Sequence, residues 1–148
     1  DCGRPALDDW LRLRALSNEA SGASRTYVIC AEGRVVGYYA LATGAVARAA
    51  ATGKARRQMP DPIPVMLIGR LAVDTGYQGK GLGHGLLRDA LLRTLQVAKQ
   101  AGIRAVLLRA MTADAKRFYQ RAGLQESPLD PMTMMITIAD VEKALATP

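Results

Sequence analysis

Apolar and polar positions in the first half of the chain follow a helical period and then a strand period. Residues 5–20 carry apolar side chains at helical spacing with a proline in the first turn, and a Ser/Gly-rich segment ends them. Two runs rich in β-branched and aromatic residues, 26–31 and 35–41, flank Glu32-Gly33, which predicts a hairpin. Basic residues among alanines over 47–62 predict an exposed loop that can include a short helical turn. Residues 63–73 then alternate like a strand.

Helices and strands are interleaved in the second half. The pattern predicts, in order, a helix over 81–101, a strand over 103–110, a helix over 112–121, a strand over 132–138 and a terminal helix over 140–146. Gly102 and Gly123 are expected to end the first two of these helices. This order predicts an α/β fold in three layers around a mixed sheet, formed by residues 1–148 as a single domain.

The composition limits the classes of function that the chain can have but does not identify one of them. Apolar residues make up 49% of the chain, which indicates a folded globule, and the net charge of +7 suits an anionic partner such as nucleic acid, CoA phosphates or an acidic protein. A basic surface that faces only water explains the charge equally well. No apolar run is long enough for a transmembrane helix, and the single histidine, His84, gives no basis for a metal site. Cys30 is expected to be a small buried residue, and a cytoplasmic location is expected because two cysteines indicate no disulfide framework.

A glycine-punctuated loop joins the strand that ends at Val73 to the helix that begins near Gly81. Glycines let successive backbone N–H groups turn toward one point, and the helix N-terminus adds partial positive charge there. The loop therefore predicts a phosphate cradle. It lacks the Gly-Lys-Ser/Thr of nucleotide P-loops and the third glycine of the dinucleotide fingerprint. A glycine-rich turn without a ligand is the plain alternative.

Arg70 interrupts an otherwise apolar strand face just before this loop. A charged side chain is costly to bury without a partner. We therefore expect Arg70 to face a cleft or an anion.

Two segments resemble one enzyme family. Residues 78–83 (Gln-Gly-Lys-Gly-Leu-Gly) resemble the acyl-CoA pyrophosphate loop of the GNAT N-acetyltransferases, Gln-x-x-Gly-x-Gly. Residues 115–124 resemble that family's Ala-x-x-Phe-Tyr-x-x-x-Gly-Phe segment, with Leu124 as the last residue and Thr112 where many relatives have asparagine. The resemblance implies the GNAT fold with a mostly antiparallel sheet and helices on both faces, its first strand being expected to be missing from this chain. It also implies acetyl-CoA as co-substrate, contacted by Leu71, Ala72, Val73, Gln78, Gly79, Lys80, Gly81, Leu82, Gly83, Thr112 and Phe118.

The resemblance extends to a subfamily. Segments at 7–11, 24–28, 36–41 and 63–74, the last ending Gly-Arg-Leu-Ala-Val-Asp, are similar to the GNAT toxins of bacterial toxin–antitoxin pairs. Known members acetylate the α-amino group of aminoacyl-tRNA and so block translation. The resemblance therefore implies an aminoacyl-tRNA substrate and a ribbon-helix-helix antitoxin as partner. It leaves the oligomeric state open, with a homodimer as one option.

Transfer of an acetyl group from a thioester to an amine needs a neutral amine and an acid for the leaving thiolate. Tyr119 is the candidate acid, and a core tyrosine beside Phe118 is the alternative reading. Asp74, the carboxylate nearest the cradle, reads equally well as a base or as a loop cap. An α-amino group titrates near 7.7–8.0 and a lysine near 10.4 in model peptides. The absence of a clear base therefore favours an α-amino substrate.

The basic residues Lys54, Arg56 and Arg57 lie in the loop that enters the cradle strand, and Arg70 lies on that strand. If the acceptor is tRNA, these four side chains are expected to contact its phosphates. Two other function classes stay open. A GNAT enzyme for a small-molecule or protein amine would share the cradle and Tyr119, whereas a non-catalytic CoA- or nucleic-acid-binding module would need no Tyr119.

Overall fold

A computed structural model of the chain describes residues 1–146. Helices and strands alternate along it. In chain order they are α1 Pro5–Leu13, α2 Ala15–Ser21, β1 Arg25–Ala31, β2 Arg34–Val46, α3 Gly53–Arg56, β3 Ile63–Val73, α4 Leu82–Ala98, β4 Ala105–Arg109, α5 Ala113–Arg121, β5 Gln125–Glu126, β6 Thr133–Thr137 and α6 Ile138–Ala146.

The six strands form one sheet in the order β1-β2-β3-β4-β6-β5. β1 pairs antiparallel with β2, and β6 pairs antiparallel with both β4 and β5. β1 and β2 therefore form the predicted hairpin. Its turn residues Glu32 and Gly33 have φ angles of +53° and +77°. The predicted α/β class with a mixed sheet is therefore confirmed.

The chain divides into two compact units, each described by itself. The first unit combines residues 1–42 with residues 68–90, and the second combines residues 43–67 with the chain from Leu91 onward. Whether the whole chain acts as a single domain stays a prediction.

The first unit has a small core where α1 lies against the strands. Leu7, Tyr38 and Ala72 are buried together, with Trp10 and Leu11 packed against them. The hydroxyl of Tyr38 donates a hydrogen bond to the carbonyl oxygen of Leu7 at 2.7 Å. Burial raises the pKa of Tyr38, so this hydroxyl keeps its proton and remains a donor.

The core of the second unit is built from β3, β4, β6 and the segment around α3. Its fully or almost fully buried members are Ala51, Ala55, Ile63, Val65, Ala105 and Met135. Small residues at 51 and 55 let the short helix α3 pack closely on this core. The basic segment is consequently anchored by its own alanines.

Several sequence predictions need correction. The single helix predicted over 5–20 is two helices that break at Arg14, whose φ and ψ are −124° and −26°. The loop over 47–62 has the expected short helical turn, as a 3₁₀ turn and α3, but it is not wholly exposed, because it buries Ala51 and Ala55. The two-residue strand β5 was not predicted.

Cys30 was predicted to be buried, and this is wrong. Cys30 is exposed, and Val28, which shares its face of β1, is 48% exposed. The face of β1 that carries these two side chains is therefore open to solvent, although its residues are apolar. Apolar character alone therefore gave the wrong burial.

Candidate active site

The loop between β3 and α4 has the backbone of an anion cradle. Gly79 and Gly81 have φ angles of +77° and +83°, a conformation that residues with a Cβ rarely adopt. A Cβ atom placed on either glycine would meet nothing within 4 Å. The space in front of this backbone is therefore open, and side chains would fill it.

Helix α4 starts directly behind this open space. It begins at Leu82, and the N–H of Gly85 donates to the carbonyl oxygen of Gly81 at 3.1 Å. The N–H groups of a helix's first turn have no acceptor within the helix, and together with the helix dipole they attract an anion. The geometry therefore fits a pyrophosphate group.

Gln78 closes the loop rather than facing the open space. Its side-chain amide donates to the carbonyl oxygens of Val73 at 2.9 Å and of Cys2 at 3.1 Å. The ammonium group of Lys80 lies 5.1 Å from the ring centroid of Tyr77. Gln78 thus ties the end of β3 to the start of the cradle, and Lys80 keeps a positive charge beside it.

Asp74 caps the turn that follows β3. Its carboxylate accepts a hydrogen bond from the N–H of Gly76 at 2.9 Å and forms an ion pair with Arg34 at 2.6 Å. Hydrogen bonds from the amino group of Asp1 and from Gly76, together with the charge of Arg34, hold its pKa below the ordinary value. A carboxylate with a lowered pKa is a weak base, so the loop-cap alternative fits Asp74 better.

Arg70 faces a cleft, as predicted. It lines a cavity of about 150 Å³ together with Trp10, Ser24 and Asn18. Its guanidinium carbon lies 5.4 Å from the Trp10 ring centroid, and its Nη1 donates to the carbonyl oxygen of Gly69 at 3.0 Å. Its Nε is buried and has no hydrogen-bond partner among residues 1–146. The hydrogen-bonding capacity of that N–H is therefore unused within the described residues.

A hydrogen bond between two side chains joins β2 to α4 and was not predicted from the sequence. Tyr39 is fully buried, and its hydroxyl donates to the carboxylate of Asp89 on α4. The ring of Tyr27 stacks on Tyr39 at 5.1 Å between centroids. Nothing in the spacing of these residues indicates that they meet, because Tyr39 and Asp89 are 50 positions apart.

Tyr119 lies on α5, whose first turn is capped by a side chain. The Oγ1 of Thr112 accepts a hydrogen bond from the N–H of Ala115 at 3.0 Å, so the Thr112 side chain serves as N-cap. Tyr119 is 7% exposed and meets Phe118 edge to face. Burial raises the pKa of Tyr119 to about 12, because the phenolate would lose its hydration. The hydroxyl is therefore protonated at neutral pH.

The basic segment around α3 is held at both ends. Thr52 caps its start, with Oγ1 accepting from the N–H of Ala55 at 3.3 Å. The guanidinium of Arg104 donates to the carbonyl oxygens of Lys54 at 2.8 Å and Ala55 at 3.1 Å. Arg104 was not identified from the sequence, where it is one of many basic residues.

The predicted basic side chains differ in their surroundings. Arg56 and Arg57 are exposed. Lys54 forms an ion pair with Asp140 at 3.1 Å, so part of its charge is balanced within the protein. We therefore expect Arg56 and Arg57 to carry more of any phosphate binding than Lys54.

The predicted site residues fall in both units. The first unit holds Arg70, Leu71, Ala72, Val73, Gln78, Gly79, Lys80, Gly81, Leu82 and Gly83, and the second holds Lys54, Arg56, Arg57, Thr112, Phe118 and Tyr119. Within residues 1–146, no three His, Cys, Asp or Glu side chains converge in a way that could hold a metal ion. No helix in the same range is long and apolar enough to cross a membrane.

Comparison with known proteins decides the family. Residues 22–126 match the acetyltransferase (GNAT) domain family. The chain belongs to the GNAT family. It is also 52% identical over 138 residues to a tRNA-acetylating toxin of Mycobacterium tuberculosis (strain ATCC 25618 / H37Rv), an alignment that covers 93% of this chain and 83% of the relative. The predicted resemblance to GNAT toxins is thereby confirmed.

Solved GNAT structures resemble the chain over almost its whole length. AtaT complexed with acetyl-methionyl-tRNAfMet superposes with a TM-score of 0.89 and 26% identity, covering 98% of this chain and 89% of that one. A tyrosine-to-phenylalanine variant of AtaT, bound to the C-terminus of the antitoxin AtaR and to acetyl-CoA, gives a TM-score of 0.84 and 25% identity, covering 99% and 88%. The predicted GNAT fold is confirmed by these matches and by the family match.

The residues present fit the acetyl-CoA that GNAT enzymes use. The left-handed Gly79 and Gly81 leave open space in front of the backbone, and α4 begins at the next residue, Leu82. A pyrophosphate is the kind of anion that such a cradle accepts. The chain is an acetyl-CoA-dependent acetyltransferase.

Proposed function

We propose that this GNAT enzyme acetylates the α-amino group of aminoacyl-tRNA and so blocks translation. The observation that carries the proposal is its 52% identity to a tRNA-acetylating toxin over 93% of the chain. A blocked α-amine cannot form the next peptide bond, which accounts for toxicity. Its target would place the enzyme in the cytoplasm.

The reaction requires little more than positioning and one acid. The neutral amine attacks the thioester carbon, and a C–N bond forms as the C–S bond breaks. The amine nitrogen releases its proton to solvent, and solvent returns a proton to the acid after it has protonated the thiolate. Backbone groups of Leu71, Ala72 and Val73 are the proposed contacts to the pantetheine arm and thioester oxygen, where a hydrogen bond would stabilise developing charge.

We assign the acid role to Tyr119. The thiolate that leaves coenzyme A needs a proton, and a group must be protonated at working pH to supply it. Burial keeps the Tyr119 hydroxyl protonated, with its pKa raised to about 12. Thr112 supports this role indirectly by capping the helix that carries Tyr119.

A dedicated base is not needed for the proposed substrate. An α-amino group has a pKa of roughly 7.7–8.0, so an appreciable fraction is neutral at physiological pH. The lowered pKa of Asp74, and its use as a loop cap, make that carboxylate a poor candidate. A lysine acceptor, with a pKa of about 10.4, would require a base or a water relay.

The basic side chains are the proposed tRNA contacts. Arg56 and Arg57 are exposed on a segment whose alanines are buried, and Arg70 lines a cleft beside Trp10. A segment that is already ordered loses less conformational entropy on binding than a flexible loop would. Lys54 would join them after release from Asp140.

The proposed protein partner is an antitoxin of the ribbon-helix-helix type. The solved relative AtaT, as a tyrosine-to-phenylalanine variant, is bound to the C-terminus of the antitoxin AtaR, which supports an antitoxin as partner for this chain. We further propose that residues 1–148 act as one catalytic domain and that the active enzyme is a homodimer. Light scattering of the purified protein, alone and with its antitoxin, tests the homodimer and the antitoxin complex.

The decisive experiment supplies labelled acetyl-CoA and total aminoacylated tRNA to the purified enzyme. We expect label on the aminoacyl group and none on deacylated tRNA, which lacks the amine. Polyamines and a lysine-rich protein serve as alternative acceptors in parallel reactions. Label on one of these, and none on aminoacyl-tRNA, would replace the proposal with a small-molecule or protein acceptor.

A salt series then tests the tRNA surface. Arg56, Arg57 and Arg70 are changed to Glu together, and the matched control changes the exposed Lys99, Arg117 and Arg121 to Glu. Each lost phosphate contact should lower the slope of log affinity against log salt by roughly 0.7–0.9. We expect the first triple variant to lose tRNA acetylation while acetyl-CoA affinity stays near that of the parent. Equal tRNA turnover by the parent and both variants would remove this surface from the proposal.

A further inference from the structure

A groove lies between the basic segment around α3 and the edge of the sheet, entirely within the second unit. Gly53 and Arg56 line one side of it, and Gln125, Pro128 and Pro131 line the other. Its volume of about 410 Å³ is in the range of roughly 300–1,000 Å³ that is usual for sites of small organic groups. None of the residues proposed for catalysis or for coenzyme A lines it.

The two sides of the groove are tied together through Ser127. Ser127 is buried, and its hydroxyl donates a hydrogen bond to the carbonyl oxygen of Ala50 at 2.5 Å. The same oxygen accepts from the N–H of Leu129 at 3.2 Å, and the N–H of Ser127 donates to the carbonyl oxygen of Thr133 at 2.8 Å. The groove is therefore formed before any ligand arrives, which lowers the entropic cost of binding.

The walls of the groove offer three kinds of contact. Pro128 and Pro131 are exposed and present apolar ring surfaces. Gln125 is exposed, and its side-chain amide, which can both donate and accept, makes no hydrogen bond within residues 1–146. Arg56 is also exposed, and its guanidinium has no ion pair in the same part of the chain. A ligand that carries an apolar surface, a hydrogen-bonding edge and a negative charge uses all three.

The edge strand makes an extended peptide a poor occupant. β5 is the last strand of the sheet and has only two residues, Gln125 and Glu126. A peptide that adds to a sheet edge depends on a row of backbone hydrogen bonds, and so short a strand offers few. The charge of Glu126 is balanced by its ion pair with Lys116, so Arg56 leaves the groove positive. These features favour an anion with a flat apolar part.

We propose that this groove is a subsite for an unpaired nucleotide of the tRNA. The base lies against Pro128 and Pro131, Gln125 bonds its hydrogen-bonding edge, and the phosphate meets Arg56. Proteins that bind unpaired RNA hold its bases in this way, on aromatic or apolar side chains with polar groups at the base edge. The inference rests on the proposed tRNA substrate and adds to it a contact that duplex RNA cannot make.

Gly53→Leu fills the groove without disturbing the protein. A Cβ atom at Gly53 would meet nothing within 4 Å, and Gly53 does not have a left-handed φ angle. The midpoint of thermal unfolding should therefore not fall. Gly102→Leu is the matched control, because Gly102 is exposed, has equally open surroundings and does not line the groove.

The measurement is the affinity of each variant for deacylated tRNA and for a blunt-ended RNA duplex, by fluorescence anisotropy across a salt series. A stacked base contributes enough that Gly53→Leu should bind tRNA about tenfold more weakly. Its salt dependence should match that of the parent, since no phosphate contact is lost. Arg56→Gln should instead lower the slope of log affinity against log salt by roughly 0.7. The duplex has no unpaired base, so the parent, Gly53→Leu and Gly102→Leu should bind it equally.

Gln125→Ala tests the base edge without filling the groove and should weaken tRNA binding while leaving duplex binding unchanged. Parental tRNA affinity in Gly53→Leu, or equal weakening of tRNA and duplex, would overturn the subsite. So would polyglutamate binding that Gly53→Leu abolishes while tRNA affinity stays unchanged, because the groove would then take an acidic protein segment. Acetyl transfer separates the two proposals. A parent that acetylates aminoacyl-tRNA keeps the proposed function even if the subsite fails, whereas a parent that neither binds nor acetylates tRNA overturns both.

Discussion

The guanidinium of Arg104 donates to the carbonyl oxygen of Lys54 at 2.8 Å, and its Nε donates to that of Ala55 at 3.1 Å. Arg104 precedes β4, and the two carbonyls belong to the one-turn helix α3. So short a helix has no intrahelical donors for its last carbonyls. Arg104 supplies them and fixes the segment that displays Arg56 and Arg57.

Replacing Arg104 with Met should loosen this segment. The free energy of unfolding should fall by about 1 kcal/mol, because the unpaired carbonyls can partly rehydrate. The amides of Arg56 and Met59, which bond within this segment, should exchange faster with solvent. Hydrogen exchange read by mass spectrometry gives the comparison, with Arg121→Met as an exposed control. Unchanged exchange at these two amides would contradict the role given to Arg104.

Replacing Gly81 with Val should abolish much of the acetyl-CoA binding. Gly81 has a φ of +83°, and Gly22, at the end of α2, has a φ of +77° with equally open surroundings. Val at either position should cost about 1–3 kcal/mol of stability through backbone strain. Only Gly81→Val should weaken acetyl-CoA binding, because only that side chain enters the cradle. Calorimetry on both folded variants is the measurement, and equal affinities would refute the cradle assignment.

Replacing Tyr119 with Phe should remove the acid and little else. Turnover at saturating substrates should fall by about 10²–10⁴-fold, the usual effect of losing a positioned general acid. Acetyl-CoA affinity and unfolding should change little, since only one hydroxyl is lost. Tyr27→Phe, on an edge strand, is the matched control and should keep full turnover. Full turnover in Tyr119→Phe would leave that hydroxyl without a catalytic role.

The pH dependence of turnover should show a single ionisation on its rising side. Burial raises the pKa of Tyr119 from 10.0 to about 12, so the acid form persists well above neutral pH. The substrate α-amine loses its proton near 7.7–8.0. Turnover on a hydrolysis-resistant, amide-linked aminoacyl-tRNA should therefore rise through that range and stay level to about pH 10. A decline with an apparent pKa near 9 would mean that another group supplies the proton.

Local chemistry made much of the site predictable from the sequence. The cradle depends on glycines at left-handed φ angles followed at once by a helix, and the cap of α5 depends on Thr112 and an N–H three residues later. Both arrangements are complete within a few residues, so neither needs the rest of the fold. The family motifs can be recognised in the sequence for the same reason, because they consist of the residues that meet these local requirements.

Only the tertiary structure decided which distant residues meet. Arg104 and Ala55 are 49 positions apart, and Tyr39 and Asp89 are 50 apart, so no local pattern relates them. Solvent exposure was equally unpredictable from the sequence. The apolar Cys30 lies on the edge strand β1, on a face that nothing in the described structure covers. Sequence periodicity reports which side chains could share a face. Burial and partnership depend on what packs against that face, which is a property of the folded chain.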